Sequence, residues 1–172
     1  MQNHLFHRMA LFQSKQIASP ESAADMTYLL GERVSVQWFG FLQAFSAEMN
    51  SQLSTEEYRE LLRNMGQRFA ALTAVGTKET VEELEVAINA QWSGLRWGYA
   101  RLSDSGAQLS IQHHYSPLPE ALGVDHAVAG GFLEGVYEHW FRAAGADDML
   151  SVRQTVEDST ATVATFLFGR HA

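Results

Sequence analysis

Residues 97–115 read WGYARLSDSGAQLSIQHHY, and within this stretch the hydrophobic pattern changes from helical to strand-like. Segment 97–102 is rich in aromatic residues and precedes DSG at 104–106, residues that favour a tight turn. Apolar and polar residues then alternate over 107–115, which places Leu109, Ile111, His113 and Tyr115 on one face of a strand. The pattern predicts an antiparallel hairpin.

The chain before this hairpin shows helical periodicity. We expect helices over about 35–51, 54–75 and 78–94, the second starting with a Ser54–Glu57 capping box. The first carries an apolar stripe that is typical of a core-facing surface: Trp38, Phe41, Leu42, Phe45 and Met49. A shorter helix is expected over 20–30, after Ser19 and Pro20.

The chain after the hairpin contains a proline-containing loop, a helix over 130–145 and two strands at 150–156 and 160–168. The predicted fold class is α+β, with N-terminal helices packed on an antiparallel sheet of about four strands and a further helix between the two hairpins. We assign residues 1–34 to an N-terminal arm with its short helix, and residues 35–172 to a single α+β domain.

Composition excludes several functions. The chain has 172 residues, no cysteine and a net charge of −8, which argues against nucleic-acid binding and against an anionic membrane surface. It contains no run of about 20 apolar residues, so we expect no membrane insertion. The N-terminal stretch MQNHLFHRMALFQSKQ lacks the features of a secretory signal, which predicts a cytoplasmic location.

Candidate catalytic groups are few. His113 and His114 are adjacent on a strand and point to opposite faces, so they are a poor metal pair, and we expect one near the core and one in solvent. Glu134 and Glu138 have the spacing of a carboxylate pair, but Glu138 also stands four residues before Arg142, an ordinary ion-pair spacing. We therefore predict no catalytic residues, no metal site and no cofactor.

The glycines in GGFLEGVYEHWFRAAG, residues 130–145, need an explanation, because an interior glycine costs a helix about 1 kcal/mol relative to alanine. On a helical wheel, one face carries Gly131, Gly135, Glu138 and Arg142, opposite the apolar stripe. We predict that this face contacts a second copy of the chain, since small residues let backbones approach closely. In the alternative, Gly130 and Gly131 only form the helix start, which leaves Gly135 alone inside.

Four segments together resemble the D-type accessory protein of bacterial cellulose synthase: FLQAFSAEM (41–49), LLRNMG (61–66), LEVAINAQWSGLRWGYARL (84–102) and LEGVYEHW (133–140). Their order and spacing match that family from about residue 36 to 170. The resemblance implies a non-catalytic accessory to cellulose export that assembles as a ring-shaped homo-octamer, a tetramer of dimers. It also implies passages for a glucan chain, bordered here by Arg33, Val34 and Ser35.

The resemblance further implies association with the cellulose synthase complex, recruitment by a proline-rich partner protein, and a periplasmic location as the alternative to the cytoplasm. The leading hypothesis is thus an oligomeric scaffold or glucan guide in cellulose biosynthesis. The alternative is a small-molecule-binding sensor domain of α+β type, with a pocket between sheet and helices.

Overall fold

The computed structural model describes residues 34–170. The arm and the helix predicted over 20–30 lie outside these residues. Three helices come first, α1 (Val36–Gln52), α2 (Thr55–Ala71) and α3 (Val81–Leu95). They are followed by β1 (Tyr99–Asp104), β2 (Leu109–His114), a short α4 (Leu118–Leu122), the long α5 (His126–Ala143), β3 (Ser151–Gln154), a 3-10 turn (Val156–Asp158) and β4 (Val163–Gly169).

Side-chain caps set the starts of three helices. The Ser54 hydroxyl accepts a hydrogen bond from the Glu57 N–H while the Glu57 carboxylate accepts from the Ser54 N–H, which confirms the predicted capping box of α2. Thr80 caps α3, and Asp125 caps α5 through the Val128 N–H. The α5 cap lies five residues before the predicted start at 130.

The four strands form one antiparallel sheet in the order β1-β2-β4-β3. Tyr99 pairs with His114 at one end of the first hairpin, and Ile111 pairs with Phe166 across β2 and β4. Helix α5 separates β2 from β3 along the chain. The α+β class, with a further helix between two antiparallel strand pairs, is therefore confirmed.

Helix α5 is the centre of the core. Thirteen of its eighteen residues are buried, because α2 packs on one side of it and the sheet on the other. A helix covered on both sides must be apolar or small-sided nearly all round. Its Tyr137 and Trp140 are fully buried with Trp92 of α3.

Three local expectations were wrong. The apolar stripe of α1 does not face the core, since Trp38 and Phe41 lie mostly in water. A short helix, α4, replaces part of the expected loop, and Pro117 precedes its first residue as the N-cap. Tyr115 does not continue the alternation of β2, because its φ of +59° turns the backbone out of the extended conformation.

Candidate functional site

The glycine face of α5 is occupied by α2 of the same chain. A Cβ on Gly131 would lie 2.5 Å from the Arg59 carbonyl oxygen, and one on Gly135 would overlap the Arg63 carbonyl oxygen. In return, a Cβ on Gly66 of α2 would overlap the Phe132 carbonyl of α5. Another backbone does approach the glycines, as predicted, but it is not that of a second copy, which corrects that assignment.

Two buried carboxylates lie at the same contact between α2 and α5. Glu134 receives Arg59 through two parallel hydrogen bonds, of 2.7 and 2.9 Å, a geometry that strengthens a charge pair. Glu134 also accepts a hydrogen bond from the Gln154 backbone N–H on β3 at 2.5 Å. With 4% of its side chain exposed, it connects α2, α5 and an edge of the sheet.

Glu138 repeats this arrangement one turn later. It pairs with Arg63 and, at 2.7 Å, with Arg142, and it accepts from the Val152 N–H at 3.5 Å. The Glu138–Arg142 ion pair was expected on the surface, but Glu138 is 3% exposed. Glu138 and Arg142 thus pair within the chain.

The partner arginines on α2 were missed in the sequence. Arg59 and Arg63 are four residues apart, as are Glu134 and Glu138. Matching charge spacing on two predicted helices is the signal that could have paired them. A second missed feature is the aromatic group of Tyr99, His114 and Tyr115 at one end of the first hairpin.

His113 belongs to a buried hydrogen-bond chain. Its Nε2 lies 2.9 Å from the Trp97 carbonyl oxygen, and its Nδ1 lies 2.5 Å from the Tyr137 hydroxyl. A carbonyl only accepts, so Nε2 carries the proton and Nδ1 accepts from Tyr137, whose oxygen accepts from the Trp92 indole N–H. Burial lowers the pKa of His113 to about 4 and raises that of Tyr137. As expected, His113 is in the core and its neighbour His114 is only partly buried.

Helix α1 exposes the aromatic residues that were expected in the core. Trp38 and Phe41 are each 59% exposed, and their rings meet edge to face at 5.9 Å. Phe45 stacks on Phe41 at 6.3 Å. The inward side of α1 is polar by contrast: the Ser46 hydroxyl is buried and accepts a hydrogen bond from the Tyr58 hydroxyl at 2.8 Å. We call Trp38, Phe41 and Phe45 the α1 aromatic face.

The segment expected to border a glucan passage stands at the start of α1. Val34 is buried, and the Ser35 carbonyl accepts the first backbone hydrogen bonds of the helix, from Trp38 and Phe39. Arg33 lies outside the described residues. The assignment of these three residues to a glucan passage stays a prediction.

Other ligand sites are few in the part of the chain that the structure describes. Residues 34–170 contain no group of three or more histidine, aspartate or glutamate side chains that could hold a metal ion. Two depressions along this surface, one beside α3 and one at the end of β4, are open to solvent. Among the same residues, no helix is both long and apolar enough to cross a bilayer.

Comparison with known proteins assigns the family. The family model for the D-type protein of cellulose synthase matches residues 24–167. The chain belongs to this family. Proteins named Cellulose synthase operon protein D from Komagataeibacter xylinus and Komagataeibacter sucrofermentans are each 30% identical to it over 104 residues. That alignment covers 58% of this chain and 66% of each relative, just under two thirds of the relatives' length.

Proposed function

We propose that this chain is a non-catalytic accessory subunit of cellulose biosynthesis that acts as a closed assembly of identical copies. The assembly is a ring-shaped octamer, a tetramer of dimers, which scaffolds the cellulose synthase complex or guides glucan chains towards ordered fibres. Support comes from the family, whose curated members are named for the cellulose synthase operon, and from one structural observation, the exposed α1 aromatic face.

The α1 aromatic face is suited to association. Removing apolar surface from water contributes about 25 cal/mol per Å², and buried aromatic side chains dominate the cores of protein interfaces. Trp38 and Phe41 each leave more than half of their surface in water in the single chain. A second surface that covered them would recover that free energy.

Charge favours a second copy as the covering surface. The chain carries a net charge of −8, so two copies repel each other unless they meet through a neutral patch. Helix α1 contains a single charged residue, Glu48, among its seventeen. A two-fold contact of this helix with its own copy is the simplest closed arrangement.

Light scattering of the purified chain tests the assembly. We expect a mass of eight times the 19.2 kDa chain for the wild type, and a smaller species for Phe41→Glu, which puts a charge into the α1 aromatic face. Val86→Glu is the matched control, because Val86 is 71% exposed on α3. A wild-type monomer at micromolar concentration, or an equal loss of mass in both variants, contradicts the proposal.

A complementation experiment tests the cellular role. Cells that lack the gene but retain the synthase should make less cellulose, or less ordered fibres, and the wild-type chain should restore both. Phe41→Glu should fail to restore them although Val86→Glu succeeds. Unaltered cellulose in the deletion strain contradicts a role in cellulose biosynthesis, and full rescue by Phe41→Glu contradicts the need for assembly.

A further inference from the structure

An exposed aromatic group lies at the end of the first hairpin, away from the α1 aromatic face. Tyr99 and His114 are cross-strand partners, and their rings stack at 4.5 Å with 7° between the planes. The Tyr115 ring lies 6.2 Å from each of the other two. Tyr99 is 38% exposed, although Ala100, its neighbour on β1, is completely buried. We call Tyr99, His114 and Tyr115 the hairpin platform.

The backbone around the hairpin platform adopts two uncommon conformations. Tyr115 has a φ of +59°, which is rare for a bulky residue and costs free energy. Its N–H donates to the Thr162 carbonyl at 2.7 Å, which fixes that conformation. Gly98, just before Tyr99, has a φ of +85°, and a Cβ there would overlap the His114 carbonyl. These features bring the three rings together.

The chemistry of the hairpin platform fits an uncharged polyhydroxylated ligand. Its aromatic faces offer an apolar surface to C–H groups, while the phenol hydroxyls and the imidazole are hydrogen-bonding edges. Arg101 and Gln112, cross-strand partners exposed beside it, add further polar groups. Partial burial and the nearby Arg101 lower the pKa of His114, which favours its neutral form. A pyranose ring has this combination, an apolar face of C–H groups and an edge of hydroxyls.

We propose that the hairpin platform is a surface binding site for a β-linked glucan chain. The choice of glucan over other saccharides rests on the proposed function in cellulose biosynthesis. The platform is open, so it holds a chain weakly and lets it slide, as a guide for a moving polymer requires. Tyr99 and Tyr115 supply the stacking surfaces, and His114 supports Tyr99 from its other side.

Native gel electrophoresis in gels containing hydroxyethyl cellulose tests the site, with dextran gels as the control for an α-linked polymer. Wild-type chain should be retarded by the β-linked polymer and not by dextran. Tyr99→Thr removes a ring while keeping a residue that favours strands. Tyr115→Asn removes a ring while keeping a residue that tolerates positive φ. Each loss should weaken binding about fivefold, the effect of one aromatic contact.

Arg153→Thr is the matched control, an exposed strand position on β3, at the opposite edge of the sheet. It should be retarded like the wild type. Circular dichroism and light scattering of all variants separate lost binding from lost folding or assembly. Retardation of the folded Tyr99→Thr and Tyr115→Asn chains equal to that of the wild type would overturn the proposal, as would a wild type that the β-linked polymer does not retard.

The two proposals fail separately. An octamer that hydroxyethyl cellulose does not retard overturns the hairpin platform and leaves the assembly standing. A monomer whose retardation depends on Tyr99 and Tyr115 overturns the assembly and supports the platform.

Discussion

The side-chain amide of Asn89 forms both of the hydrogen bonds that a neighbouring strand would make to Ala100. Its Oδ1 accepts from the Ala100 N–H at 2.7 Å, and its Nδ2 donates to the Ala100 carbonyl at 2.9 Å. One turn earlier on α3, Glu85 accepts from the Leu102 N–H at 2.6 Å. Since β1 is an edge strand, these α3 side chains occupy positions where another chain could pair.

The opposite edge of the sheet is closed in the same way. Glu134 and Glu138 of α5 accept hydrogen bonds from the N–H groups of Gln154 and Val152 on β3. Each edge is thus closed by two side chains four residues apart on one helix. Such closure opposes strand-to-strand association, and is consistent with association of copies through α1.

Replacing Asn89 should destabilise the chain. Asn89→Ala leaves two backbone groups of the buried Ala100 without partners, and an unsatisfied buried polar group costs about 1–3 kcal/mol. Urea denaturation should show a free energy of unfolding lower by about 2 kcal/mol. Asn64→Ala is the control, since Asn64 is exposed on α2 and bonds only to Glu60 within the described residues, at 3.4 Å. Equal stability of the two variants would contradict this role of Asn89.

Adding one methyl group to Gly135 should separate α2 from α5. The new Cβ would overlap the Arg63 carbonyl, and backbone atoms give way only by moving a helix, so Gly135→Ala should cost about 3 kcal/mol or more. Gly94→Ala on α3 meets no atom within 4 Å and should instead stabilise by about 0.5–1 kcal/mol. Thermal unfolding should therefore shift in opposite directions for the two variants, and a stabilised Gly135→Ala would disprove the close helix contact.

Neutralising Glu134 should weaken the contact between α2, α5 and β3. Glu134→Gln keeps the size of the side chain but leaves one oxygen to serve the Arg59 guanidinium and the Gln154 N–H. Because Arg59 is partly exposed, water compensates in part, and we expect a loss of about 2 kcal/mol in urea denaturation. Glu60→Gln, exposed on α2, should change stability by less than about 0.5 kcal/mol. A loss confined to Glu60→Gln would contradict the assignment.

The chain should lose stability in mild acid through His113. Its pKa is about 4 when folded and 6.5 in the reference state, so the unfolded chain binds more protons between these values. The contribution of His113 is complete above pH 6.5 and falls as the pH drops towards 4, by about 2 kcal/mol at pH 5. Partly exposed His114, whose pKa is also lowered, acts in the same direction.

Urea denaturation at pH 7.5 and pH 5.0 measures this loss, and His113→Gln should show a pH dependence smaller by about 2 kcal/mol, while the dependence due to carboxylates remains. Nuclear magnetic resonance titration of the His113 ring in the wild type gives the same pKa without a variant. A His113 ring that titrates near its ordinary value would contradict burial as the cause.

Helix α5 shows the limit of reasoning from a helical wheel. The wheel correctly separated the glycine face from the apolar stripe, and it correctly indicated that another backbone approaches Gly135. It could not identify that backbone, because Gly66, Arg59 and Arg63 lie some 70 residues away in the sequence and no local pattern joins them. The buried carboxylates of α5 were missed as a structural pair for the same reason.

The sequence by itself determined the α+β class, the order of helices and strands, the α2 capping box, the burial of His113 and the likeness to the D-type protein of cellulose synthase. These depend on periodicity, caps and turn residues, which act over a few neighbouring positions. Only the tertiary structure decided that α5 is covered on two sides, that Trp38 and Phe41 remain in water, and that α3 and α5 close the sheet edges. The physical reason is that an apolar stripe requires some covering surface, but the packing of distant segments determines which surface covers it.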